Sequence, residues 1–211
     1  MSQSTPTALE ALEILKKGNA RFVDRLGHPA LPAAGEAPVE LPDEQRPRAI
    51  ILGCSDARVP AEIVFDQGLG DLFVIRVAGN IIAPSLIGSV EFAASEFGTR
   101  LVVVLGHTRC GAVHATIEEI QRPSGPPSPN LASIVDRIRP HIEDYVRVTP
   151  EQEADAVWRG AVRANVGASV EKLRSGSAIL EQLIAEEGLV VVGAEYCLRS
   201  GVVTFLGAGE T

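Results

Sequence analysis

Apolar residues recur along this chain at two different periods. Over residues 8–23, Leu9, Leu12, Leu15 and Phe22 stand among charged and small residues, which predicts an amphipathic helix. Residues 28–47 hold five prolines (Pro29, Pro32, Pro38, Pro42 and Pro47) and predict an extended connection. The period then changes. Ala49-Ile50-Ile51-Leu52 is a continuous apolar run closed by Gly53-Cys54, the pattern of a parallel strand buried on both faces. Leu72–Val77, Leu101–Leu105 and Leu189–Val192 repeat it, and Val202–Leu206, after Gly201, offers a fifth.

Helical patterns separate these runs. Ser85–Phe97 and Gly111–Ile120 carry apolar residues at mixed three- and four-residue spacing. A low-complexity loop, Pro123-Ser124-Gly125-Pro126-Pro127-Ser128-Pro129, leads into a long helical region from 131 to 187, interrupted near Pro140, Pro150 and Ser175. Strands alternating with helices predict an α/β fold with a mainly parallel sheet covered on both faces. The length of 211 residues suits one such domain over 48–211, preceded by the helix and extended arm of 1–47.

Charge narrows the function. A net charge of −8 excludes the basic face of a nucleic-acid binder. No apolar stretch has the length of a membrane span, and the first residues lack a basic segment followed by an apolar one, so a cytoplasmic location is expected. Three cysteines are too few, and odd in number, for a disulfide framework. In a reducing compartment they read as metal ligands, a nucleophile or buried filler.

Cys54 and His107 each lie just past the C-terminal end of a predicted strand, the edge where open α/β sheets place ligands. Cys110 follows His107 by three residues, in the turn entering the next helix. Two sulfurs and one nitrogen suit zinc, and three protein ligands leave a fourth position open, as catalytic rather than structural sites do. The competing reading is ordinary: a cysteine at a strand end often serves as a small apolar residue, and His-x-x-Cys recurs by chance.

The wider motifs are Gly53-Cys54-Ser55-Asp56-Ala57-Arg58-Val59 and Gly106-His107-Thr108-Arg109-Cys110-Gly111-Ala112. Together they resemble the signatures C-S-D-[SA]-R and G-H-x-x-C-G of the β-carbonic anhydrases. The likeness extends through Phe65–Asn80 and from Gly18-Asn19-Ala20-Arg21-Phe22 to the last strands. It implies a four-stranded parallel sheet with an added C-terminal antiparallel strand, a homodimer or higher homo-oligomer in which 1–47 takes part, and hydration of carbon dioxide by zinc-bound hydroxide. Cys54, His107 and Cys110 would hold Zn2+. Asp56 would accept a hydrogen bond from the nucleophile, and Arg58 would fix Asp56 in a two-pronged ion pair.

The resemblance also implies a substrate pocket. Gln45 matches a glutamine that bonds the substrate oxygens. Phe73, Ala78 and Phe92, with Gly111, match a pocket contributed across the dimer interface, although Ala78 stands for a larger aliphatic residue and Phe92 for a tyrosine. A bicarbonate-inhibition site known in some members would use Arg76 and Tyr196, but Ile51 replaces its tryptophan, so no such inhibition is expected. His114 reads as interfacial or solvated, or as a proton relay. His28 and His141 read as surface residues, Cys197 as apolar filler and Trp158 as core packing. Two other functions fit less well. A thiol phosphatase needs an arginine six residues after its cysteine, where Pro60 stands, and a non-catalytic zinc scaffold has no use for Asp56 and Arg58. Carbonyl sulfide or carbon disulfide hydrolysis is the nearest alternative chemistry.

Overall fold

The computed structural model describes residues 5–26, 44–123, 125, 128–148 and 154–207. His28, Pro29, Pro32, Pro38, Pro42 and Pro150 lie outside them. Five strands form one sheet: β1 (Ala49–Gly53), β2 (Leu72–Arg76), β3 (Leu101–His107), β4 (Val190–Tyr196) and β5 (Val203–Leu206). Their order is β2-β1-β3-β4-β5, with every pairing parallel except β4 with β5. The helices are α1 (Ala8–Leu26), α2 (Ala61–Val64), α3 (Pro84–Glu96), α4 (Gly111–Gln121), α5 (Pro129–Val148), α6 (Ala154–Ser175) and α7 (Ala178–Glu186). This is the α/β architecture expected from the pattern.

Successive strand residues face opposite sides of the sheet, so the buried runs feed two cores. Ile51, Val103 and Leu105 pack with α1 and α2, whereas Ile50, Leu52, Val102 and Val104 pack with α3, α6 and α7. A third cluster, at the C-terminal ends of the strands, joins Cys54 and Cys110 to Ile138, Ile142 and Val162 of α5 and α6. From β1 the chain moves outward to β2, and from β3 outward to β4. The order therefore reverses between β1 and β3, and the crevice at such a reversal is where α/β sheets bind ligands.

The N-terminal helix packs on its own chain's sheet. Leu12, Leu15 and Phe22 are buried there, and Leu9 remains 71% exposed. Buried Asn19 fixes the seat: its amide nitrogen donates to the carbonyls of Val64 (3.0 Å) and Gly201 (2.9 Å), and its oxygen accepts from the Val203 N–H (2.8 Å). Gly18 permits the approach, because a Cβ there would lie 1.8 Å from the Phe65 carbonyl oxygen. Gly18→Ala should gain helix propensity yet destabilise the fold by about 1–3 kcal/mol, since the overlap is with backbone. The check is a thermal melt, where each kcal/mol moves Tm by about 2–4 °C at this chain length.

Three elements differ from the sequence pattern. β4 runs on to Tyr196, past Gly193, whose missing side chain admits Val166 of α6: a Cβ at Gly193 would meet Val166 at 2.8 Å. α5 continues through Pro140, held by the buried Ile138 and Ile142 on either side. The one-turn α2 follows Pro60 and went unpredicted. Among the described residues no helix is long and apolar enough to cross a membrane.

Candidate metal centre

β1 ends at Gly53 and β3 at His107, so both deliver their next chemistry to the crevice between them. Cys54 follows β1, and Cys110 takes the position before the first turn of α4. The Cys54 and Cys110 sulfurs lie 4.0 Å apart. With a His107 ring nitrogen they form a buried group whose donor atoms are all within 4.8 Å of one another.

His107 is fully buried, and its Nδ1 lies 2.9 Å from the Thr108 carbonyl oxygen. A carbonyl only accepts, so Nδ1 carries the proton and Nε2 presents a lone pair; carbonyl or carboxylate partners commonly fix ligand histidines in this way. That Nε2 has no hydrogen-bond partner despite its burial. An orphaned acceptor beside two thiols is the arrangement a cation satisfies. Two sulfurs and an imidazole nitrogen suit a borderline-soft tetrahedral ion, with one vertex left for solvent or substrate. The residues present fit a metal.

Electrostatics point the same way. The hydrogen bond from Cys110, with the backbone N–H groups of Gly79 and Asp56, lowers the Cys54 thiol pKa against the opposing effect of burial. The same shared proton, burial and the negative charge on Cys54 push Cys110 up. A metal ion bound here would displace the thiol protons.

Asp56 stands beside this group with one oxygen 3.9 Å from His107 Nε2. Arg58 grips it with two prongs: Nε donates to Oδ1 (2.9 Å) and a terminal nitrogen to Oδ2 (2.7 Å), while the Arg58 N–H also reaches Oδ1 (3.0 Å). The guanidinium holds the Asp56 carboxyl far below the usual carboxylate range, outweighing partial burial. Arg76 braces the loop from below, donating to the carbonyls of Cys54 (3.1 Å) and Asp56 (2.6 Å).

The carbonic anhydrase family model matches residues 49–203. A carbonic anhydrase of Mycolicibacterium smegmatis is 39% identical over 208 residues, covering 96% of this chain and 94% of that protein. Carbonic anhydrase 2 of Mycobacterium tuberculosis is 37% identical, covering 95% and 93%. Among solved structures, a β-carbonic anhydrase of Aspergillus fumigatus superposes with a TM-score of 0.70 at 26% identity, over 96% of this chain and 92% of that one. A tetrameric β-carbonic anhydrase of Sordaria macrospora gives 0.66 at 26% identity, over 79% and 84%. The chain belongs to the β-carbonic anhydrase family.

The β-carbonic anhydrase motifs converge at the crevice, but the expected pocket residues divide into two sets. Ala78 and Gly111, the latter following Cys110 in the chain, line a cavity of about 850 Å³ together with residues of α4 and α5. Phe73 and Phe92 instead stack at the β2 edge, 6.2 Å apart and both against Phe97. Phe92 is half exposed. Gln45 is exposed ahead of β1, at the other end of a five-residue strand from Cys54, about 16 Å of extended chain. Ile51 is buried in the core, and Tyr196 packs its ring on Phe22 at 6.4 Å.

Some supporting residues had no signal in the sequence. The Trp158 indole N–H donates to the Cys110 carbonyl (3.2 Å), and its ring lies 4.5 Å from that of His114. Asn165 and Ser169 of α6 donate to the carbonyls of Gly79 (2.8 Å) and Asn80 (3.1 Å), securing the turn whose Gly79 N–H lies 3.4 Å from Cys54 Sγ. Trp158 is therefore more than the core packing expected of it, and Cys197 lines an open cavity rather than filling the core. His141 is exposed on α5, as expected. Trp158→Phe keeps the ring but frees the Cys110 carbonyl. It should weaken metal binding about 10-fold or more, since partners that orient ligands typically contribute that much, measured by competition with a chromophoric chelator.

Proposed function

We propose that this chain catalyses the reversible hydration of carbon dioxide, CO2 + H2O giving HCO3− + H+, at a zinc ion held by Cys54, His107 and Cys110. The observation that carries the reading is the buried donor trio with its orphaned His107 Nε2, set beside an Asp56 already locked by Arg58. When bound, zinc is a Lewis acid that makes nucleophilic oxygen available near neutral pH.

The chain's own residues do the rest. Asp56 Oδ2 accepts a hydrogen bond from the solvent nucleophile, which turns an oxygen lone pair toward the substrate carbon. Arg58 holds Asp56 in that pose and keeps it ionised, so the carboxylate takes no proton from the nucleophile. Carbon dioxide has no net dipole, and the Ala78 wall suits it. Gln45, Phe73 and Phe92 lie too far along the sheet to serve this protomer's crevice. They would complete a partner's pocket in a homodimer, joined in part by residues 1–47. The free cysteines accord with a reducing cytoplasm.

The purified chain should carry one zinc per protomer and accelerate CO2 hydration in a stopped-flow indicator assay. Two thiolates donate more charge than imidazoles, so activity should rise toward alkaline pH. A depressed carboxyl pKa means the charged form persists down to acid, so Asp56 should add no step between pH 5 and pH 7 (about 3.9 being its unperturbed value). Full zinc without catalysis would leave a binding scaffold, and preference for carbon disulfide would reassign the substrate.

A further inference from the structure

A cavity of about 400 Å³ opens next to the metal centre, and four arginines line it: Arg58, Arg109, Arg159 and Arg199. They arrive from four separate segments, namely the loop after β1, the β3–α4 loop, α6 and the turn after β4. The β3–α4 loop is tied to the end of β4 and the turn that follows it. The Thr108 N–H donates to the Tyr196 carbonyl (2.9 Å), and the Thr108 hydroxyl accepts from the Leu198 N–H (3.0 Å). The turn after β4 is closed by the Gly201 N–H on the Cys197 carbonyl (2.8 Å). Arg109 is held in the left-handed region at φ 58°, a conformation that residues with a side chain seldom adopt.

The charges do not balance. Arg58 is neutralised by Asp56. Arg109, Arg159 and Arg199 enter no ion pair among the described residues, and Asp155 is the one carboxylate in the lining. Three positive charges against one negative leave a surplus of +2, on a chain whose net charge is −8. Clustered guanidiniums repel unless an anion sits among them, and a recess focuses their field. Their planar forks match the oxygens of phosphate in two-pronged bonds. The volume lies in the range of small-molecule sites and exceeds what a bare tetrahedral anion fills. Leu198 and the Trp158 ring supply an apolar wall for the remainder.

We propose that this cavity binds a small organic phosphomonoester, its dianionic phosphate held between Arg159 and Arg199 and its organic part against Leu198 and Trp158. The assignment does not rest on the hydration reading, in which neither Arg159 nor Arg199 takes part.

Cys197 lines the same cavity and reports on its occupancy. The Ser200 hydrogen bond lowers its thiol pKa, which favours alkylation near neutral pH. In zinc-loaded protein at fixed ionic strength, phenyl phosphate should slow iodoacetamide alkylation of Cys197 saturably, followed by peptide mass spectrometry. It should do so at lower concentration than inorganic phosphate. The double variant Arg159→Ala/Arg199→Ala, both exposed positions, should keep the wild-type melting curve and raise the half-protecting concentration at least about tenfold, as loss of charge-assisted bonds predicts. Equal protection by chloride, or by inorganic phosphate at the same concentration, would overturn the assignment. Unchanged protection in the double variant would move the ligand elsewhere and overturn it as well.

Discussion

Asp56→Asn should retain one zinc per chain and lose about 100-fold or more in CO2 hydration, the scale on which removing one preorganised polar contact to a reacting oxygen acts. Asp56 is not among the grouped donors, and its nearer oxygen lies 3.9 Å from His107 Nε2, so the ion should stay. What changes is the polarity of the contact. The carboxylate only accepts, whereas the amide has one accepting and one donating end, and Arg58 will draw the accepting end to itself. The NH2 then faces the nucleophile and turns its lone pair away from the substrate. Zinc analysis, circular dichroism and stopped-flow rates on the same preparation decide it. Full activity in the variant would remove the carboxylate from the proposed chemistry.

Cys110→Ser should abolish both zinc retention and activity. Serine differs from cysteine by one atom, yet its hydroxyl does not ionise near neutral pH, and a borderline-soft ion loses one of its two thiolates. The position is 1% exposed and packed in the cluster with Ile138 and Val162, so the hydroxyl also enters an apolar setting. That burial should cost about 1–3 kcal/mol and lower Tm by several degrees. Metal content after dialysis, compared with the wild type, is the deciding measurement. A variant that keeps stoichiometric zinc would show that the sulfur is not a ligand.

Most of the architecture was legible because short strands packed in a sheet read as plain apolar runs, and five such runs stand in this chain, four of them joined in parallel pairs and the last antiparallel. β4 was read short because Gly193, Ala194 and Glu195 break the run. Gly193 is small for the sake of α6, a reason that exists only in three dimensions. Pro140 looked like a break because a proline removes a helical N–H, but burial of Ile138 and Ile142 prevails. The donor trio was legible from two short motifs on adjacent strand ends. The residues that hold it in place were not. Trp158, Asn165 and Ser169 act on backbone carbonyls 48, 86 and 89 positions away, and no local spacing records such a contact. Gln45, Phe73 and Phe92 were expected at the substrate pocket, but Gln45 stands ahead of β1 and the two phenylalanines pack with Phe97 at the β2 edge.

The three bonds of Asn19 also bear on how the protein is made. Its partners at Gly201 and Val203 lie 182 and 184 residues downstream, so two of the three bonds wait until both have been synthesised. Until then α1 is held only by the Val64 bond and by the packing of Leu12, Leu15 and Phe22 on the strands already made. A message cut short before β5 would yield a product with that helix unlatched, a natural substrate for chaperones and proteases.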